Sequence, residues 1–167
     1  LAYARKLFDK LSIGLQFDYL NTSIAEYGNK GLVTFELGLQ SQVTKKIHVA
    51  AHVYSPATIA LTAEDVLPTI FKLGGAYLPS DKVTFLLEVE KDLDYPVQVK
   101  AGMEYYIVDA VSLRAGVGTN PTLMSFGVGY RVKSGLSIDV GARVHQVLGV
   151  MPAVGIIYQA AAKKKGK

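Results

Sequence analysis

The side chains in this sequence that could do chemistry are few, and their spacing is even. His48 and His52 stand four residues apart, Glu88 and Glu90 two apart, and His145 follows Asp139 and Arg143 at alternate positions. On an extended strand the two histidines would share a face but sit about 13 Å apart, too far for one metal ion without a bend. Glu88 and Glu90 would lie about 7 Å apart, which suits a two-carboxylate hydrolase only inside a shaped substrate site that nothing else in the sequence supplies. There is no Gly-x-Ser-x-Gly elbow and no phosphate-binding glycine loop ahead of a helix. With no cysteine there is no thiolate ligand, thiol nucleophile or disulfide framework. The expectation is a protein without catalytic residues, metal or cofactor.

The elements that carry these residues are strands. Leu136, Ile138, Val140, Ala142 and Val144 alternate with Ser137, Asp139, Gly141, Arg143 and His145, and Val33, Phe35, Leu37 and Leu39 alternate with Thr34, Glu36, Gly38 and Gln40. Period-two alternation of this kind describes a sheet with one apolar and one polar face. Eleven such segments are expected: Leu1 to Leu7, Leu11 to Leu20, Leu32 to Val43, Ile47 to Tyr54, Thr69 to Leu78, Val83 to Lys91, Val97 to Val108, Ala110 to Gly118, Thr122 to Val132, Leu136 to Gln146, and Met151 to Tyr158. The first is the weakest, because Arg5 and Lys6 fall on opposite faces. A short helix is conceivable only at Thr62 to Val66.

Half of the 167 residues are apolar, yet no run approaches the roughly 20 apolar residues that a membrane helix requires. Apolar content spread over alternate positions is the pattern of an antiparallel up-and-down transmembrane β-barrel, the fold class expected here. The same pattern turned inside out would describe a soluble β-barrel binding module. Two features favour lipid on the apolar face: charge is rare there, and so many small glycines would serve nothing on a solvated exterior. The net charge of +4 comes largely from Lys163, Lys164, Lys165 and Lys167, a basic tail rather than a nucleic-acid-binding face. The expected organisation is a barrel over residues 1–159 followed by a basic periplasmic tail over 160–167.

The connections set an orientation. Phe8 to Lys10, Thr44 to Lys46, Pro79 to Lys82, Val108 to Ala110 and Lys133 to Gly135 are tight, whereas Asn21 to Gly31 and Ser55 to Pro68 are long. Outer-membrane barrels keep short turns on the periplasmic side and longer loops outside, so the C-terminus is expected in the periplasm. Tyr77, Tyr105, Tyr130 and Tyr158 all lie on the apolar face near the tight-turn ends, where amphipathic rings would form an interfacial girdle. Nothing at Leu1 to Leu7 resembles a secretory signal. Eleven strands with both termini periplasmic leave an odd number unaccounted for, so the chain is expected to be the C-terminal part of a barrel of at least twelve strands.

The polar face holds Gly14, Gly38, Gly74, Gly102, Gly116, Gly118, Gly127, Gly129 and Gly141 together with charges of both signs. Glycine weakens a strand, so a glycine-lined wall either receives a plug or ligand closely or relieves crowding at a curved wall. The turn at Val108 to Ala110 predicts Glu104 opposite Arg114, and the turn after Val132 predicts Arg131 diagonal to Asp139, each an ion pair that fills and rigidifies a polar interior. Glu104, Arg114, Arg131, Asp139, Arg143, Gly116 and Gly127 are the expected lumen-facing residues.

The run Leu1-Ala-Tyr-Ala-Arg-Lys followed by Leu11-Ser-Ile-Gly-Leu-Gln-Phe-Asp-Tyr-Leu, the segment Leu67-Pro-Thr-Ile-Phe-Lys-Leu-Gly-Gly-Ala-Tyr, and Leu113-Arg-Ala-Gly-Val-Gly-Thr-Asn-Pro resemble the C-terminal two-thirds of PorV-like or PorQ-like barrels. These are similar to the long-chain fatty-acid transporter superfamily and frequent in Bacteroidetes. The resemblance implies a fourteen-stranded barrel in the bacterial outer membrane. The role it implies first is a scaffold or partner subunit in protein secretion of the type IX kind or in another outer-membrane complex, with passive transport of hydrophobic small molecules as the alternative. Expected partners are outer-membrane lipid, other outer-membrane or periplasmic proteins and a hydrophobic ligand, with no nucleic acid. The tail past Tyr158 and the lack of a plug-encoding region depart from that family's pattern.

Overall fold

In a computed structural model, the described residues are 1–24, 28–57, 59–60, 67–132 and 135–159. All regular structure among them is strand: β1 (Ala2–Phe8), β2 (Leu11–Ile24), β3 (Gly28–Gln42), β4 (Ile47–Tyr54), β5 (Ile59–Ala60), β6 (Ile70–Ser80), β7 (Val83–Asp92), β8 (Gln98–Val108), β9 (Val111–Gly118), β10 (Leu123–Arg131), β11 (Leu136–His145) and β12 (Gly149–Tyr158). The hydrogen-bonded order follows the chain, β1-β2-β3-β4-β6-β7-β8-β9-β10-β11-β12, with β5 paired to β3. This is an antiparallel up-and-down sheet, as the alternation and short turns require. No helix is long and apolar enough to cross a membrane, which says nothing of crossing by strands.

Two expectations about loops are corrected. The β2–β3 ladder continues from Leu20↔Leu32 to Ile24↔Gly28, so most of the long loop expected at Asn21 to Gly31 is strand. Its polar sequence hid this, because ladder bonds are made by backbone and not by the side chains that alternation reads. Within Ser55 to Pro68, Ile59 and Ala60 pair with Val33 and Leu32. The possible helix at 62–66, the turn residues 133–134 and the basic tail at 160–167 lie outside the described residues.

The chain forms two compact units, Leu1–Tyr77 with Leu87–Val99, and Leu78–Leu86 with Lys100–Lys167. In the first, Leu15↔Leu37, Phe17↔Phe35, Leu37↔Val53 and Val53↔Phe71 put large apolar side chains on one face, where Phe17 and Phe35 pack with ring centroids 6.4 Å apart. That face is exposed: Leu37, Phe71 and Leu73 keep 45%, 45% and 63% of their surface. The second unit does the same. Along its part of β8, Met103, Tyr105 and Ile107 are exposed while Lys100, Gly102, Glu104 and Tyr106 on the other face are half-buried. Among the described residues no hydrophobic side chain is buried, and the four buried residues are Thr34, Ser55, Ser112 and Gly129. A water-soluble barrel would show the reverse, with its apolar face sequestered.

Candidate functional site: the polar face

The polar face of the second unit is built by register. Glu104 pairs with Arg114, Arg114 with Gly127, and Gly127 with Gly141; one step along, Ser112 pairs with Gly129 and Gly129 with Asp139. Arg114 Nε donates to Glu104 Oε1 at 2.8 Å. Its Nη1 donates to Asp139 Oδ1 on β11, crossing β10 over positions that are both glycine. A Cβ on Gly129 would lie 2.7 Å from Asp139 Oδ1, 2.6 Å from Ser112 Oγ and 3.2 Å from Arg114 Nη2. The glycines therefore make room for an arginine belonging to the wall itself, a role distinct from admitting a guest or relieving curvature.

The expected Glu104–Arg114 opposition is present in the register. The Arg131–Asp139 pair is corrected: Arg131 sits opposite Ser137, diagonal to Asp139 as expected, but the carboxylate is held by Arg114. The Arg131 guanidinium instead lies 5.9 Å from the centroid of the Tyr106 ring, a cation–π contact. Arg143 faces Ser125 on one side and Met151 on the other and makes no ion pair among the described residues. At Gly116 an added Cβ would meet Ser125 Oγ at 2.8 Å and the Ala101 carbonyl at 3.3 Å. Gly127 has more room, its nearest neighbour being the Val140 carbonyl at 3.5 Å.

The first unit carries a second polar ladder that the sequence alone did not reveal. His52 Nε2 lies 2.8 Å from Glu36 Oε2, and Lys72 Nζ lies 3.3 Å from Glu90 Oε2. Gln16 donates through Nε2 to both carboxylate oxygens of Asp18, at 3.0 and 3.1 Å. His52 is directly opposite Lys72, so its carboxylate partner Glu36 balances a site with a cation on the other side. The signal was available: the tight turn at Thr44 to Lys46 brings β4 back beside β3, and counting from it places His52 one diagonal step from Glu36. Glu90 is thus paired with Lys72 on the neighbouring strand. His145 Nδ1 accepts the backbone N–H groups of Val147 and Leu148, both at 3.0 Å, capping the turn into β12. Among the described residues no group of three or more potential ligands could hold a metal ion.

Tyr77, Tyr105, Tyr130 and Tyr158 are all exposed on the apolar face, opposite Ile47, Leu113, Ile138 and Leu136 respectively. Each stands close to the tight-turn end of its strand.

No protein-family model matches the chain, and no curated protein matches it. Solved structures do. A mutant of the Rh. blastica porin is similar over 89% of this chain and 55% of its own, with 18% identity and a TM-score of 0.59. The toluene transporter TbuX of Ralstonia pickettii is similar over 93% and 64%, with 14% identity and a TM-score of 0.65. A deletion mutant of TodX, a monoaromatic hydrocarbon channel, reaches a TM-score of 0.67 at 12% identity over 93% and 66%. The chain thus spans a little over half the length of the porin and about two-thirds of the transporters. At these identities the likeness establishes the fold, an up-and-down β-barrel architecture.

Proposed function

We propose that this chain is the membrane-embedded wall of an outer-membrane β-barrel that passes small hydrophobic molecules. The observation that carries the reading is the division of faces in both units: large apolar side chains exposed on one, and glycine with paired charges on the other. A bilayer is the solvent that makes such exposure favourable. The polar face, with Glu104, Arg114, Arg131, Asp139, Arg143, Gly116 and Gly127, is then the lumen. Residues 1–159 form the wall, with the tight turns and the C-terminal segment periplasmic. Tyr77, Tyr105, Tyr130 and Tyr158 mark the periplasmic interface.

Passage is favoured over a scaffold role in type IX secretion by the neighbours, which include a porin and toluene transporters. Enzymatic activity is not part of this reading. Reconstitution of the full-length protein into vesicles tests it: toluene influx above that of empty vesicles supports passage. Equal influx, with secretion partners recovered by crosslinking instead, would favour the scaffold.

A further inference from the structure

The exposed apolar face of the first unit is uneven. Leu39 pairs with Ala51 and Ala51 with Leu73; one step along, Leu37 pairs with Val53 and Val53 with Phe71. The Leu93 N–H donates to the Thr69 carbonyl at 3.2 Å, and Lys72 meets Glu90. Counting antiparallel from these, Val89 stands beside Leu73 and Lys91 beside Phe71. Ala51 is the small residue in this patch of large ones. A trough of about 290 Å³ opens there, lined on this face by Ala51, Val53, Phe71, Leu73, Val89 and Lys91.

Lys91 is the informative member. On the apolar face of the described strands, charge occurs only at Arg5 and Lys91. Lys91 Nζ donates to the Tyr95 carbonyl at 2.7 Å, which uses one of the three ammonium protons and leaves two for a ligand. The nearby acids do not fill it: Asp92 belongs to the polar face and its Oδ1 accepts the Asp94 N–H at 2.9 Å within the turn. An apolar trough that ends at a cation matches a molecule with an alkyl chain and an anionic head. On a face that contacts bilayer, that molecule is a lipid.

We propose that this trough is a binding site for one phosphate-bearing membrane lipid, its acyl chain against Ala51 and Phe71 and its phosphate on Lys91. The proposal rests on the membrane-spanning reading given above. Snorkelling of the lysine stem along Phe71 would bring the ammonium to headgroup level. The strand end and the turn at Leu93 to Val97 supply that level.

The test uses the full-length protein in mild detergent, titrated with phosphatidylglycerol and read by native mass spectrometry. One retained lipid per chain is expected. Lys91→Gln, which removes the charge, and Ala51→Phe, which fills the trough, should each weaken retention about tenfold, the scale of one charge-assisted contact. Val128→Phe, on the apolar face of the second unit, should leave it unchanged. Equal retention by all four proteins would mean unspecific coating and overturns the site. Flotation with vesicles separates the two levels of the argument. If the protein floats but Lys91→Gln binds as tightly as the parent, the site alone is lost. If it does not float, the membrane reading falls and the site with it.

Discussion

Arg114 reaches Asp139 across an intervening strand, and the strand between them carries Gly127 and Gly129 where the arginine passes. Two strands that are not neighbours in the sheet are thereby tied by one side chain, which also holds Glu104 on its own other side. Alanine at Gly129 would place a methyl group inside the contact distances of both Ser112 and Asp139. Those atoms end short side chains and cannot move far without breaking the link. Gly129→Ala is therefore expected to destabilise the folded protein by about 1–3 kcal/mol, the usual range for overpacking. Urea unfolding from vesicles, followed by tyrosine fluorescence, measures it.

The ion pairs themselves are worth less than their number suggests. The Arg114 side chain is 44% exposed and that of Asp139 27%, so solvent screens them and a double-mutant cycle of Arg114→Ala with Asp139→Ala should return a coupling of about 0.5–1 kcal/mol. Single Arg114→Ala should cost more than single Asp139→Ala. It leaves two carboxylates, Glu104 and Asp139, without their cation. A cycle giving no coupling would show that the glycine gap, and not the charge, fixes this part of the wall.

Much of this was legible from alternation. The faces of Leu136 to Val144 and of Val33 to Leu39 follow from period two, and the Glu104–Arg114 opposition follows from the turn length at Val108 to Ala110. What alternation could not give is reach. Asp139 is the partner of Arg131 by diagonal counting, yet it belongs to Arg114 because arginine is long enough to span an intervening strand when that strand bears glycine. The β2–β3 extension was hidden for a different reason: Thr22, Ser23 and Asn29 have no apolar face to announce a strand, and backbone pairing does not need one.

Charge placed on the apolar face should be costly. Leu37→Arg, Val128→Arg and Val140→Arg replace exposed side chains and, with bilayer against them, should each cost about 2–4 kcal/mol near the midplane. Gln40→Arg on the polar face, opposite Ser12 and Ala50, should be mild. Insertion into vesicles, scored by protease protection, checks the contrast. Equal tolerance on the two faces would contradict a lipid-facing apolar surface.

The proposed orientation is checked by single cysteines, since the sequence has none of its own. Asp94→Cys and Thr119→Cys, in connections at the ends opposite the tight turns, should react with impermeant maleimide on intact cells. Lys45→Cys and Asp81→Cys should react only after the outer membrane is opened. The reverse pattern would invert every strand while leaving the fold untouched.

The last prediction separates glycines that hold the wall together from glycines that keep its polar face open. A Cβ on Gly141 would lie 2.8 Å from the Phe126 carbonyl, a backbone atom that moves only if β10 and β11 move apart, so Gly141→Ala should destabilise. Gly38 has nothing within 4 Å of an added Cβ, and Gly38→Ala should be neutral or stabilising by about 0.5–1 kcal/mol as the unfolded chain loses freedom. Gly102 stands between: its nearest contacts would be the Ala115 carbonyl at 3.6 Å and Leu86 Cβ at 3.9 Å, ordinary van der Waals distances. A side chain begun at Gly102 is thus directed onto the polar face without a backbone clash. Gly102→Leu should assemble with near-normal stability and lower toluene influx, whereas Gly141→Ala should lower the yield of folded protein and the total influx in proportion. If Gly102→Leu passes toluene as the parent does, the route does not run along this part of the wall.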